Sequence, residues 1–346
     1  MTPPISVLDL SPVPSGSSAP DALRNTLDLA RAAERWGYSR YWLAEHHNTP
    51  GLASSAPEVM IGQVAAATAR IRVGAGGIML PNHAPLRVVE TFRVLEALHP
   101  GRIDLGLGRA PGTDAITAVA LRRSAQPGAG EFPALLEELL AYAGAGFPED
   151  HPFHPVRAEP VDVTLPPLWI LGSSDYGAQV AAALGIGFAF ARHLNPRGAA
   201  DALRLYRERF SPSEARAEPR AILAVSAICA DASGRADEPS WSLALSVIRM
   251  RAGRPAKLPP PEEAIAHRYS PREEDQVRRY RRAQVLGDPA EVRDQLVRLT
   301  EEAGADELMV MSTVHDHAER LRSYELIADA FGLPAGAPPA AAAASR

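Results

Sequence analysis

The feature that most constrains this chain is a repeated alternation of apolar, strand-like runs with longer segments of helical periodicity. Several runs are continuously apolar, which is typical of parallel strands that are covered on their outer face. Eight such units favour a (β/α)8 barrel over a doubly wound sheet split into two domains, because no clear linker divides the chain. The predicted strands are Ile5–Leu10, Arg40–Ala44, Ile71–Leu80, Arg102–Gly108, Leu168–Gly172, Gly187–Ala191, Ile222–Ala230 and Glu307–Ser312.

Three of the intervening helices have clear sequence boundaries. Asp21–Trp36 repeats apolar positions on one face and stops at Gly37, a residue suited to a helix C-terminus. Pro85–Leu98 begins with a proline, which fits the first helical turn. Pro289–Ala303 carries an apolar face and ends before Gly304. We expect these helices to cover the outside of the barrel.

Two stretches interrupt the repeat. Ala110–Gly130, rich in Gly, Pro and Arg, follows the fourth predicted strand, and Ser233–Leu286 follows the seventh. Insertions of this length usually form lids, binding loops or disordered segments, and we expect a lid from the first. The second is predicted to be a helix plus a variable excursion that shapes the substrate entrance. Residues 1–333 are expected to form one domain, and the low-complexity residues 334–346 a frayed tail.

Composition excludes several classes of protein. The 346 residues are 46% hydrophobic and 22% charged, as in ordinary soluble proteins, and the net charge of −5 gives no reason to expect nucleic acid. No run of about 18 apolar residues predicts a membrane span, and the start lacks the pattern of a secretory signal. The one cysteine, Cys229, excludes an intrachain disulfide and a cysteine cluster. We expect a cytoplasmic protein without a membrane partner.

Two adjacent histidines, His46 and His47, follow Glu45 at the end of the second predicted strand. Barrel enzymes carry their functional groups at this end of the strands. Neighbouring residues of an extended segment point in opposite directions, and helical zinc ligands need a spacing of four, so the pattern argues against a metal site. One imidazole is expected to face the barrel mouth as an acid, a base or a hydrogen-bond donor. The alternative is a structural histidine bonded to the backbone.

A glycine-rich segment after the fourth predicted strand resembles a dinucleotide fingerprint but fails it. Pro111 occupies the position of the last required glycine, and no capped helix follows at once. Arg109, just beyond the strand, is either a phosphate ligand through its planar fork of donors or a solvated surface arginine.

Small residues at two other strand ends also permit a ligand. Gly172, Ser173 and Ser174 precede an Ala-rich helix, where they either cap the helix or offer N–H groups and a hydroxyl to a phosphate. Gly76 and Gly77 interrupt an apolar strand and indicate either a bulge or a flat ring that lies against bare backbone.

Five segments carry a family resemblance: AEHHNTPGLASSAPEV, RIRVGAGGIMLPNHAPLRVVE, LHPGRIDLGLGRAPGTD, LWILGSSDYGAQVAAALG and GADELMVMSTVHDHAERLRSYELIADAF. In this order, from about residue 5 to 332, they resemble the bacterial-luciferase-like, flavin-dependent monooxygenases, most of all their MsnO8-like subgroup. The resemblance implies a (β/α)8 barrel that uses reduced FMN and dioxygen to oxygenate a small organic substrate. It also implies electrons from NAD(P)H or a separate flavin reductase, and a homodimer formed through residues 57–68 and 85–98. The substrate is not fixed.

The resemblance also implies roles for single residues. His46 matches the catalytic histidine beside the flavin. Gly76 and Gly77 match a pair joined by a non-prolyl cis peptide bond against the isoalloxazine ring. Arg109 and Ser174 match groups that bind the FMN phosphate, with Gly172 and Ser173 in the same loop.

Further positions are implied less directly. Asp9 and Leu10, at the end of the first predicted strand, are expected to line the floor of the pocket. Arg192 and His193 stand near a tryptophan position of the family, which implies a more polar pocket here. Gly177 replaces a hydroxyl residue that helps to hold the phosphate, so FMN binding is expected to be weaker.

Three other functions stay open on the sequence. The first is a deazaflavin-dependent enzyme that transfers hydride in the same barrel, and the second is an NAD(P)H:FMN reductase. The third, from another class, is a non-catalytic barrel that binds a flavin or a partner. The presence of both His46 and Arg109 argues against the third.

Overall fold

The strands of this computed structural model, which describes residues 3–122 and 131–336, close into a parallel barrel. Around the barrel the order is β1, β2, β3, β5, β6, β7, β8 and β10, and β10 pairs with both β8 and β1. The predicted (β/α)8 barrel is therefore confirmed. The strands are β1 (Ile5–Asp9), β2 (Arg40–Leu43), β3 (Arg72–Ala75), β4 (Ile78–Met79), β5 (Ile103–Gly108), β6 (Leu168–Gly172), β7 (Gly187–Ala191), β8 (Ala221–Cys229), β9 (Val285–Gly287) and β10 (Glu307–Met311).

Apart from one-residue differences at strand ends, the strands differ from the sequence prediction in two places. The predicted strand Ile71–Leu80 is divided into β3 and β4, with the Gly76–Gly77 pair between them, and both parts pair with β5. The short strand β9 was not predicted. It pairs with the last residues of β8, and its three residues are too few to give a periodicity signal.

Twelve α-helices lie within the described residues. The boundaries of Pro85–Leu98 and Pro289–Ala303 agree with the prediction, while the first helix begins two residues earlier because Ser18 forms a capping box with Asp21. The helices are α1 (Ala19–Arg35), α2 (Pro57–Ala67), α3 (Pro85–Leu98), α4 (Ala115–Arg122), α5 (Phe132–Leu140), α6 (Asp175–Leu184), α7 (Ala199–Glu208), α8 (Asp237–Arg251), α9 (Pro261–Ala266), α10 (Pro271–Arg282), α11 (Pro289–Ala303) and α12 (His317–Phe331). None of them is both long and apolar enough to cross a membrane.

The second insertion, Ser233–Leu286, forms three helices rather than one helix and an excursion. α8 packs against both α9 and α10. α10 begins at a capping box between Ser270 and Glu273. Many charged residues surround this capping box, so the start of the helix is hard to recognise in the sequence. Trp241 of α8 lies 4.1 Å below the Arg281 guanidinium of α10. The predicted lid at Ala110–Gly130 includes α4, but its residues 123–130 lie outside the described residues, as does most of the predicted tail.

The amino-terminal end of the barrel is filled by paired charges and two tryptophans. Arg40 is buried and donates to Asp104 Oδ2 at 2.7 Å and to Glu307 Oε1 at 2.8 Å. Above this layer, the rings of Trp42 and Trp169 meet edge to face at 5.6 Å. Because this end is packed, a ligand site within the barrel can open only at the carboxyl ends of the strands.

Candidate active site

A cavity of about 510 Å³ opens at the carboxyl ends of the barrel strands. This volume is in the range of small-molecule sites. Its walls come from the strand ends and from α8, α10 and the connection after α8. The cavity brings together most of the residues predicted for the site: Leu10, His46, Gly76, Arg109, Gly172, Ser173, Ser174 and His193.

His46 lines the cavity from the loop after β2. Its backbone N–H donates to the Ser54 carbonyl at 2.9 Å, which holds the loop against the next segment. The ring Nδ1 is buried and has no hydrogen-bond partner among the described residues. Burial lowers the pKa of His46 to about 4, the charge of Glu45 opposes the shift, and His47 and His193 add to it. The imidazole is therefore neutral at pH 7.

His193 is a second neutral imidazole in the same cavity. It follows β7, and its Nδ1 lies 3.4 Å from the Ala224 carbonyl oxygen. Burial lowers the pKa of His193 to about 4, which its contact with that carbonyl opposes. A positive charge on His193 would lower the pKa of His46 further, so protonation of one ring disfavours protonation of the other.

The residues on either side of His46 fix its loop. The Glu45 carboxylate is buried and accepts hydrogen bonds from Met79 N at 2.8 Å, from Asn82 Nδ2 at 2.9 Å and from His83 Nε2 at 3.0 Å. His47 also bonds to Glu45, at 2.8 Å, and does not line the cavity. Of the two adjacent histidines, one faces the barrel mouth, as the extended segment predicted.

The hydrogen bonds to Glu45 also set its charge. Burial alone would raise the pKa of Glu45, but hydrogen bonds from His83, Asn82 and His47 outweigh it and hold that pKa below its usual value. The bond to Glu45 raises the pKa of His83 against the effect of burial. Asn82 and His83 were not predicted as part of this cluster. Their only sequence signal is a polar pair directly after an apolar strand.

Arg109 and the start of α6 give the cavity the features of an anion site. Arg109 follows β5, and its guanidinium lies 4.3 Å from the centre of the Tyr176 ring. Ser174 stands at the N-terminus of α6 in an extended conformation, and its side chain makes no capping hydrogen bond. The capping interpretation of Ser174 is therefore not realised. The first N–H groups of α6 and the Ser174 hydroxyl face the same cavity as Arg109, which suits an anion.

Glycines bring bare backbone to the cavity. The Gly76–Gly77 peptide bond is cis, as the resemblance implied. A Cβ on Gly76 would lie 2.8 Å from Leu8 Cδ1, and one on Gly77 would lie 2.7 Å from the Gly106 carbonyl oxygen. A Cβ on Gly177 would lie 3.1 Å from Phe188 Cε2, so the Phe188 ring accounts for the missing hydroxyl residue there.

Three predicted site residues, Asp9, Arg192 and Gly77, do not line the cavity. The Asp9 carboxylate is buried among protein donors and bonds to Ser11 N at 2.8 Å, to Thr26 Oγ1 at 2.7 Å and to Arg320 Nη2 at 2.6 Å. Adjacent strand residues point in opposite directions, so only Leu10 of that pair reaches the cavity.

The same alternation separates Arg192 from His193. Arg192 Nη1 donates to the Ala283 carbonyl at 3.0 Å, after the end of α10, and only His193 faces the cavity. Gly77, also predicted, packs against β5 rather than lining the cavity.

The sequence interpretation missed one wall of the cavity. One face of α8 lines it, with residues at the helical spacing i, i+3, i+4, i+7 and i+8. This spacing is the sequence signal for the wall, but the same spacing is equally typical of a helix face that packs into the core. The lining residues of this insertion are Leu243, Ser246, Val247, Met250, Arg251, Pro255, Ala256, Leu258 and Tyr280.

Comparisons with known proteins agree on one family. A family model described as luciferase-like monooxygenase matches residues 4–307. A luciferase-like monooxygenase of Escherichia coli strain K12 is 45% identical over 324 residues, 94% of this chain and 96% of that protein. The N-acetyl-S-alkylcysteine monooxygenase of Bacillus subtilis is 34% identical over 94% of this chain and 97% of its own length. The crystal structure of apo-MsnO8 has a TM-score of 0.87 at 38% identity and covers 96% of this chain and all of that one.

More distant structures share the fold alone. The oxygenating constituent of 3,6-diketocamphane monooxygenase from Pseudomonas putida, solved in complex with FMN, has a TM-score of 0.68 at 18% identity, covering 96% of this chain and 98% of that one. An F420-dependent secondary alcohol dehydrogenase has a TM-score of 0.67 at 16% identity and covers 96% of this chain and 99% of that one.

Proposed function

The chain belongs to the luciferase-like monooxygenase family, and from this membership we propose that it is a flavin-dependent monooxygenase that uses reduced FMN and dioxygen to oxygenate a small organic substrate. The observation that carries the proposal is the pairing of an anion site with a neutral imidazole in one cavity. Arg109, Ser174 at the N-terminus of α6, and His46 all line this cavity.

The residues present fit FMN. The phosphate would bind the Arg109 guanidinium, the Ser174 hydroxyl and the first N–H groups of α6. The Ser174 hydroxyl makes no capping hydrogen bond to these N–H groups. The flavin ring would lie against the bare backbone at Gly76, where a Cβ would come within 2.8 Å of Leu8 Cδ1. Bound there, reduced FMN would supply the electrons with which one atom of dioxygen enters the substrate and the other leaves as water.

The chain itself would manage protons and exclude water. His46 is neutral at pH 7, and its buried Nδ1 has no partner among the described residues, so the ring can change tautomer without breaking a protein hydrogen bond. It would accept or return a proton at the cavity surface. Leu8, Leu10 and Met309 give this part of the cavity apolar walls, which keep water from the reacting groups.

The relatives support an oxygenase more than a hydride-transfer enzyme. Two relatives at 45% and 34% identity carry monooxygenase names, whereas the F420-dependent dehydrogenase shares the fold at 16% identity. A separate flavin reductase, or NAD(P)H directly, is proposed as the source of electrons.

A homodimer through α2 and α3 is also part of the proposal. The outer faces of these helices carry large apolar side chains that are well exposed: Val59 at 60%, Val94 at 48% and Leu98 at 67%. Exposed apolar side chains grouped in this way are a common feature of protein interfaces.

The cofactor is tested by anaerobic titration of the protein with reduced FMN, oxidised FMN, reduced riboflavin and reduced F420. We expect reduced FMN to bind more tightly than reduced riboflavin, because only FMN carries the phosphate. Binding of F420 alone would move the protein to hydride transfer, and binding of none of the four would contradict the proposal. Rapid NAD(P)H oxidation with FMN and no organic substrate would identify a flavin reductase instead.

A further inference from the structure

The cavity has a second positive charge, at the far end of α8. Arg251 is the last residue of α8 and lines the cavity at its exposed mouth. Among the described lining residues, the two arginines Arg109 and Arg251 are the formally charged side chains at pH 7, and no lining residue is acidic. A cavity with charges of one sign favours ligands of the opposite sign.

Among the described residues Arg251 has no carboxylate partner, unlike Arg249 and Arg281. Arg249, on another face of the same helix, pairs with Glu263 at 2.8 Å, and Arg281 of α10 pairs with Asp237. No ion pair between described residues includes Arg251. A basic residue in the last turn of a helix complements the helix dipole, but Arg249 already does so, and the dipole does not require Arg251 to face a cavity.

Two hydroxyl groups lie in the same wall. Burial raises the pKa of Tyr280, which the nearby charge of Arg251 opposes, so the phenol stays protonated and can donate. Ser246 lies further along the α8 face, and its Oγ is buried without a hydrogen-bond partner among the described residues. A buried hydroxyl without a partner costs free energy, which a bound polar ligand would recover.

The rest of this wall is apolar. Leu243, Val247, Met250 and Leu258 line it. A ligand that fits this wall therefore has an apolar body and one anionic group, and a carboxylate matches the planar donors of an arginine. The free-energy cost of desolvating the anionic group is lowest at the exposed mouth, where water still reaches it.

We propose that the substrate is an apolar carboxylic acid, whose carboxylate accepts hydrogen bonds from Arg251 at the cavity mouth and from the Tyr280 hydroxyl in the adjoining wall, while its apolar chain lies along α8. This inference rests on the proposed function, which supplies the cofactor at the Arg109 side. It assigns the two arginines to different anions, Arg109 to the cofactor phosphate and Arg251 to the substrate carboxylate.

The test measures binding, not turnover. Octanoate and octan-1-ol are titrated calorimetrically into the FMN-loaded protein, and into the protein without added flavin. The wild-type protein should bind octanoate at least about tenfold more tightly than the alcohol, as expected for hydrogen bonds to a charged group. Arg251→Gln should abolish this preference, and Tyr280→Phe should reduce it. Arg254→Gln, which removes a charge nearby but outside the cavity lining, should keep it.

Two results would overturn the inference: equal affinity for octanoate and octan-1-ol in the wild-type protein, or a preference that persists in Arg251→Gln. A variant Arg251→Gln that loses its preference for FMN over riboflavin would also overturn it, because Arg251 would then hold the cofactor phosphate. Circular dichroism and thermal unfolding of each variant identify any that fails to fold, and Tyr280→Phe then carries the test. Absence of FMN binding with an Arg251-dependent preference for octanoate would contradict the proposed function alone.

Discussion

Arg320 and Asp9 form a buried ion pair that ties α12 to the end of β1, with 2.6 Å between Arg320 Nη2 and Asp9 Oδ1. Burial would raise the pKa of Asp9, but the charge of Arg320 and hydrogen bonds from Tyr41 and Thr26 hold it below its usual value. The same carboxylate accepts the N–H of Ser11, whose φ is +48°. Asp9 thus fixes the turn that presents Leu10 to the cavity, rather than touching a ligand itself.

The pair predicts a large effect on stability. Replacing Arg320 with alanine leaves the Asp9 carboxylate buried without its cation, so the free energy of unfolding should fall by about 3–5 kcal/mol. Arg322→Ala is the matched control, because Arg322 lies on the same helix in an exposed pair with Asp231 and should cost at most about 1 kcal/mol. Urea unfolding measures both. Equal losses in the two variants would show that the buried pair has no special role.

Arg109→Ala tests the phosphate site. Loss of a charge-assisted contact should weaken the binding of reduced FMN by about tenfold to 100-fold. The affinity for reduced riboflavin should stay almost unchanged, because riboflavin has no phosphate. Anaerobic fluorescence titration measures both affinities, and riboflavin is the internal control for damage to the ring site. A parallel loss of both flavins would mean that Arg109 supports the fold of the cavity rather than the phosphate.

His46→Ala tests the proton-handling role. Oxygenation should slow by about 100-fold or more, as for loss of a general acid or base, with little change in FMN affinity. His47→Ala is the matched control, since His47 is adjacent in sequence but bonds to Glu45 outside the cavity. Substrate-dependent product formation in single turnovers measures the effect. Unchanged turnover in His46→Ala would remove His46 from the mechanism.

The two cavity histidines predict a pH dependence of stability. Both have pKa values of about 4 in the folded protein against 6.5 for an ordinary histidine, so between these values the unfolded chain binds protons that the folded chain does not. Stability contributed by neutral His46 and His193 is present above pH 6.5 and is lost as the pH falls towards 4. Each contributes a slope of up to about 1.4 kcal/mol per pH unit.

Unfolding free energies measured between pH 4 and 7 test this dependence. The variants His46→Gln and His193→Gln should each show a shallower loss of stability on acidification than the wild-type protein. Identical slopes in all three proteins would contradict the account of two buried neutral imidazoles.

Local signals were enough to predict the barrel and several residues that line the cavity. The prolines and glycines at their ends predicted the bounds of the helices Pro85–Leu98 and Pro289–Ala303 correctly, because caps and first-turn prolines act over a few residues. Alternation along an extended segment separated His46 from His47 correctly. The same alternation turns Leu10 and His193 towards the cavity and turns Asp9 and Arg192 away from it.

The cavity wall formed by α8 depends on contacts that are distant in sequence. The apolar face of α8 reads equally as core or as ligand wall, and only packing against α9 and α10 decides which residues stay uncovered. The Glu45 cluster is similar, since it joins side chains from the loops after β2 and β4 that no local pattern connects.

The most direct test of the central claim is the reaction of bound reduced FMN with dioxygen. The protein is loaded anaerobically with reduced FMN, mixed rapidly with oxygenated buffer, and compared with free reduced FMN by the absorbance of the oxidised flavin. We predict a time course for the bound flavin that differs from that of free flavin, and that returns towards it in Arg109→Ala. A time course identical to that of free reduced FMN, under conditions where the wild-type protein is saturated, would contradict the account.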